Sequence, residues 1–151
     1  MKKIVVLIIF ILANKAYTQQ LGAPNKLYPI LFNYARDLYQ EYSNIPFERK
    51  VVLEEIANYI LGAQQMDKGG RIVFIETDHA TRAVLAQVWA KTASYYYGIE
   101  NVDIYSGGIT NSKISKNTIV ALEKAGFIIY LSSGKDNPEY EIKYSYNIFL
   151  V

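Results

Sequence analysis

The chain has 151 residues, of which 51% are hydrophobic, 20% charged and 14% aromatic, the composition of one globular domain and not of a disordered, collagenous or multidomain protein. It contains no cysteine, which excludes disulfides, thiolate metal sites and a cysteine nucleophile. The formal charge is +2, but Lys2, Lys3 and Lys15 fall in the first fifteen positions, and the thirteen basic and fourteen acidic residues beyond them nearly cancel. A body so close to neutral gives no electrostatic reason to expect nucleic acid or an anionic membrane as a partner.

Met1-Lys2-Lys3 precedes ten consecutive apolar residues, Ile4 to Ala13, and a more polar stretch from Asn14 to Gln20. This is the three-part pattern of a secretory signal peptide, so residues 1–18 are expected to direct export and be removed. Small residues at Ala16 and Thr18 suit cleavage before Gln19 or after Ala16. The apolar run is about half the roughly 20 residues that a spanning helix requires. The expected product is therefore soluble, periplasmic or secreted, without a stable membrane anchor after processing. The competing reading makes Ile4 to Leu12 a buried strand, because Ile and Val dominate it.

Leu27, Ile30, Leu31, Tyr34 and Leu38 have helical spacing and predict a helix over 26–42. Asn44-Ile45-Pro46 breaks it, and Val52, Ile56, Ile60 and Ala63 mark the inner face of a second helix over 47–65, so residues 26–66 are expected to form a helical hairpin. After Lys68-Gly69-Gly70, the run Arg71 to Ile75 has the continuous apolar character of a buried parallel strand. Ala80, Val84, Leu85, Val88, Trp89 and Tyr96 predict an amphipathic helix over 80–97, stopped by Gly98. Val102 to Ser106 is a second strand candidate, ended by Gly107-Gly108, and Ser115 is placed to cap a helix reaching Ala125, with Ile119 and Leu122 inward and Gly126 as its left-handed stop. Strand, helix, strand, helix at these lengths predicts right-handed βαβ units and a parallel sheet. Phe127 to Leu131 and Tyr140 to Tyr144 read as a hairpin or β-addition, and Ile148 to Val151 as a further strand whose open edge invites self-association. The fourteen tyrosines read as half-buried packing residues.

Arg71-Ile72-Val73-Phe74-Ile75-Glu76-Thr77-Asp78-His79-Ala80-Thr81-Arg82-Ala83 resembles the opening of the low-molecular-weight protein tyrosine phosphatases and the related thioredoxin-type arsenate reductases, in which a strand, a Cys-x5-Arg-Ser/Thr loop containing an Asn, and a helix follow one another. Val102 to Gly108 is similar to that family's second strand, ending in Ser-Gly-Gly, and Ala121-Leu122-Glu123-Lys124-Ala125-Gly126-Phe127 to its next helix and turn. The likeness covers about residues 70 to 128, within an expected partial domain over 70–151, and the helices before it look like an extension of some bacterial members. It implies a three-layer, Rossmann-like α/β fold with a parallel sheet. It also implies a phosphate cradle, in which a cysteine attacks phosphorus or arsenic and an arginine holds the equatorial oxygens.

Carried over, the arginine is Arg82, while the nucleophile position holds Glu76, the loop Asn is His79 and the residue after the arginine is Ala83. The family's general acid is an Asp followed by Pro; the late Asp136 is followed by Asn137. The resemblance thus implies a degenerate, C-terminally shortened member without a catalytic residue, an inactive pseudophosphatase with Arg82, Thr77 and Thr81 as the residues for a phosphate-like oxyanion. Family activity as phosphatase or arsenate reductase, or a functionless remnant, are the alternatives. A thiolate is both nucleophile and leaving group, and a carboxylate does not replace it. Two placements are open for Glu76: in the cradle, paired with Arg82 and the helix N-terminus in place of the phosphate, or in solvent. Glu76, Asp78 and His79 supply oxygen and nitrogen ligands within four residues but match no established metal spacing, so no metal and no cofactor is expected. His79, the single histidine, has no nucleophile-elbow sequence beside it and reads as a solvated loop residue.

Overall fold

The computed structural model describes residues 27–66, 69–99, 101–110, 112–134, 138–146 and 149–150. The expected signal peptide, Lys68, Asp136, Ile148 and Val151 lie outside the described residues. Helix α1 (Pro29–Gln40) begins three residues later than its periodicity suggests. The cause is local: the Tyr28 N–H is committed to the Tyr144 carbonyl at 3.1 Å, and Pro29 suits a first helical turn because its missing donor would be unpaired there anyway. A 3₁₀ turn at Glu41–Asn44 and the extended Ile45 lead to Pro46, which precedes α2 (Phe47–Gln65). The residue before a proline is driven out of the helical region, which separates the two helices.

Strand β1 (Gly70–Glu76) and strand β2 (Val102–Gly108) pair in parallel, from Gly70 opposite Val102 to Glu76 opposite Gly108. Helix α3 (Arg82–Tyr97) connects them and ends at Gly98, which is left-handed as the sequence suggests. Alternate residues of a strand face opposite sides. The side carrying Ile104 is sealed by α3, whose Ala83, Val84, Val88 and Thr92 are buried. On the other side Val73 is 52% and Ile75 71% exposed, so the expected two-sided burial of this run is not met. The predicted inner face of α2 is corrected in the same way. Val52 and Ile56 are exposed, and only Ile60 and Ala63 are partly covered, at the end that meets β1.

Helix α4 (Lys116–Ala125) is capped as expected, its Ser115 Oγ accepting the Thr118 N–H at 3.1 Å. Gly126 closes it with φ +105°, and a Cβ there would lie 2.7 Å from the Leu31 nitrogen, so α1 packs directly on this turn. Strand β3 (Ile128–Ser133), strand β4 (Glu139–Lys143) and strand β5 (Phe149–Leu150) then form an antiparallel sheet in the order β3-β4-β5. A parallel partner needs a crossover of a dozen or so residues, and the short link from Ser133 to Glu139 allows only the antiparallel return. The fold is therefore mixed α/β. Among the described residues its parallel sheet has two strands, joined by one helix as a single βαβ unit, which does not make the expected three-layer arrangement.

The core gathers Leu31 of α1, Val84 and Val88 of α3, Leu122 and Ala125 of α4, and Phe127, Ile142 and Tyr144 around the second sheet. Trp89 meets Phe127 edge-on at 5.1 Å and Tyr95 meets Tyr144 at 5.4 Å, the packing role expected for the aromatics. Among the described residues no helix is long and apolar enough to cross a membrane.

Candidate functional site

Glu76 is the last residue of β1, and the loop 77–81 turns the chain back so that α3 starts over its side chain. A helix start leaves its first N–H groups without intrahelical partners. Three of them point at the Glu76 carboxylate. Thr81 N–H and Ala83 N–H donate to Oε1 at 3.0 and 3.1 Å, and Arg82 N–H donates to Oε2 at 3.2 Å. The Arg82 Nε also donates to Oε2, at 3.2 Å. Of the two placements open from the sequence, the carboxylate takes the cradle. Its side chain is 6% exposed, whereas that of Arg82 is 83% exposed, so the ion pair is solvent-screened and the backbone donors with the positive helix end hold the charge. Burial pushes the Glu76 carboxyl up, but the N–H groups of Thr81 and Ala83, the Arg82 guanidinium and the Arg82 N–H outweigh it and hold the group below the ordinary glutamate value.

The loop is clamped from two sides. On the α4 side, Ser115 N–H and Thr118 Oγ1 donate to the Ala80 carbonyl at 2.9 and 3.0 Å. Because a carbonyl only accepts, the direction of the chain is set: Thr81 Oγ1 donates to Ser115 Oγ at 3.2 Å, and Ser115 Oγ donates to Thr118 Oγ1 at 2.7 Å. Thr81 therefore serves the cradle through its N–H and the clamp through its hydroxyl. On the β2 side, a Cβ on Gly108 would lie 2.6 Å from the His79 Cβ and 2.8 Å from the His79 nitrogen. Only a residue without a side chain admits the loop this closely. The Thr77 carbonyl accepts from Ile109 N–H at 3.0 Å and Thr110 N–H at 2.9 Å. Thr77 thus anchors the loop to the end of β2 through its carbonyl.

His79 is not the solvated residue expected. It adopts φ 52°, and its Nε2 lies 2.7 Å from Ser106 Oγ. The proton arrangement follows from the next links. Gln87 Nε2 donates to the Ile104 carbonyl at 3.3 Å, which turns Gln87 Oε1 towards Ser106, whose hydroxyl donates to it. Ser106 then has only lone pairs for His79, so His79 Nε2 carries a proton and donates. The pair ties the loop to β2.

Asp78 accepts the Ala80 N–H at 3.3 Å, apart from the other two suggested ligands. Glu76 is occupied in the cradle and His79 on Ser106, and the described residues contain no group of three or more His, Asp or Glu side chains able to hold a metal ion. Sequence reasoning singled out Glu76, Thr81, Arg82 and Ala83, which the fold brings together. It missed Gln87 and Thr118, which act through tertiary contacts 17 and 38 residues away in sequence. Compared with protein-family models, curated proteins and solved structures, the chain matches none.

Proposed function

We propose that this chain is a non-catalytic, exported protein of the low-molecular-weight phosphatase type, with Glu76 seated where a phosphate-like oxyanion would bind. The observation that carries the reading is the four-donor seat of the Glu76 carboxylate at the start of α3. The order β1, loop, α3, β2 and the Ser106-Gly107-Gly108 end of β2 support it, and on this reading the βαβ unit belongs to a three-layer, Rossmann-like domain. Phosphatase or arsenate-reductase turnover needs a nucleophile at the cradle. The residue there is an acceptor already saturated by donors, and its negative charge repels an incoming dianion. Binding of an oxyanion through Arg82 and the Thr81 N–H first requires Glu76 to leave.

The test is thermal unfolding of the full chain and of Glu76→Ala with phosphate, arsenate and vanadate. The wild-type transition should be indifferent to all three, and the variant should be raised by at least one; a ligand at 100 times its Kd adds about 2.7 kcal/mol. Wild-type stabilisation that vanishes in Arg82→Ala, or aryl phosphate turnover that does so, would overturn the reading.

A further inference from the structure

Successive residues of a strand send their backbone N–H and C=O groups to opposite edges. The Gly70 N–H donates to the Asn101 carbonyl at 2.8 Å and the Glu76 carbonyl accepts from the Ile109 N–H at 3.3 Å, so the even-numbered residues of β1 serve β2. Arg71, Val73 and Ile75 therefore turn their backbone groups to the outer edge of the sheet. At Arg71 one side chain of α2 answers both groups. The Arg71 N–H donates to the Tyr59 hydroxyl at 3.1 Å, and that hydroxyl donates to the Arg71 carbonyl at 3.3 Å. Because a hydroxyl both donates and accepts, Tyr59 stands where a residue of a third strand would pair.

The rest of the attachment is slight. None of the nineteen residues of α2 is buried, Tyr59 itself is 51% exposed, and on the apolar side Ala63 and the Tyr59 ring come up to Gly70. The extended Ile45 and Pro46 part the helix from the 3₁₀ turn before it. A segment with few buried contacts opens before the rest of a fold, and a helix without packing is marginal in water. Natural sheets cover their free edges, a helix being one of the covers used.

We propose that α2 is a strap over the outer edge of β1, latched by the Tyr59 hydroxyl, and that it opens reversibly as one unit while the core around Val88 and Leu122 stays folded. Closed, the strap withholds Arg71 from strand pairing. Open, it leaves Arg71, Val73 and Ile75 as one continuous edge, so its position controls how much of β1 is free to pair.

Native-state hydrogen exchange of the full chain in low urea tests this. The amides of α2 should share one opening reaction and one urea dependence, both below those of Val88 and Leu122. The Arg71 amide, held by Tyr59, should open in step with them, which fraying from a helix end would not produce. Tyr59→Phe keeps the ring and removes the latch. It should speed exchange across α2 about tenfold and leave Val88 and Leu122 unchanged, whereas Tyr105→Phe, at an exposed tyrosine of β2, should leave α2 as it was. A staple tests the opening independently. A Cβ on Gly70 would lie 3.7 Å from the Ala63 Cβ, within the range of a disulfide, and the chain has no other cysteine. Ala63→Cys combined with Gly70→Cys should therefore oxidise within the chain and slow exchange throughout α2 until it is reduced. Amides of α2 that exchange only with global unfolding, an Arg71 amide independent of them, no response to Tyr59→Phe, or a disulfide that fails to form or to slow α2 would each overturn the proposal.

Discussion

Replacing Gly108 by alanine tests how the cradle loop is held. The new Cβ would sit 2.6 Å from the His79 Cβ and 2.8 Å from its backbone nitrogen, against the 3.4 Å at which ordinary contact begins, so the loop must withdraw by close to an ångström. No flexible side-chain end absorbs the clash, because backbone is among the atoms met. Withdrawal stretches the 2.7 Å bond from His79 to Ser106 and the three bonds that the Thr77 carbonyl accepts from Ile109 N–H, Thr110 N–H and Thr110 Oγ1. Overpacking of this kind costs about 1–3 kcal/mol. With a urea dependence of about 2 kcal/mol per molar, the unfolding midpoint should fall by about 0.5–1.5 M with unchanged slope. Gly107→Ala is the control: no atom lies within 4 Å of its added Cβ, and the midpoint should stay within the change given by about 0.5 kcal/mol. Amide exchange at Ile109 and Thr110 should accelerate only in the Gly108 variant. Equal midpoints for the two variants would refute the claim that the loop is pressed against the end of β2.

Three further outcomes follow from the same geometry. Glu76→Gln keeps the shape and removes the charge, so it should lower the melting temperature at neutral pH. Because the folded carboxyl lies below its ordinary value of 4.5, the stability it contributes is fully present above that pH and is lost as pH falls through the folded value. The gap between the melting curves of wild type and variant should therefore close on acidification. Leu122→Ala opens the core beside Val88 and Phe127 and should cost about 2–5 kcal/mol in denaturant titration. Ser115→Ala removes the cap of α4 and a link of the loop clamp, and should cost about 1 kcal/mol or more, with faster exchange at the Thr118 amide.

The parts of the fold that were legible in the sequence are those fixed by short-range signals. The stop at Gly98, the cap at Ser115 and the turn at Gly126 each depend on a few neighbouring residues, and each is where the sequence places it. The covering of β1 and α2 was not legible. Apolar residues such as Ile75 and Val52 record a tendency to be buried but not the surface that buries them, and both are exposed. The candidate site divides in the same way. The residue types at Glu76 and Arg82 allowed the carboxylate to be considered for the cradle, whereas its seat there depends on a loop path that includes a left-handed His79 and a bond to Ser106, 27 residues away. A non-glycine residue with positive φ is uncommon, and no local pattern announces it.

The central claim is that the Glu76 carboxylate occupies the cradle at the start of α3. Carbon-detected NMR titration of the Glu76 carboxyl, with the Thr81, Arg82 and Ala83 amides followed in parallel, tests it most directly. A carboxyl that titrates below the ordinary glutamate value, with all three amides shifting through the same transition, is the predicted result. Titration at 4.5 with the three amides unmoved would show the carboxylate in solvent and contradict the account.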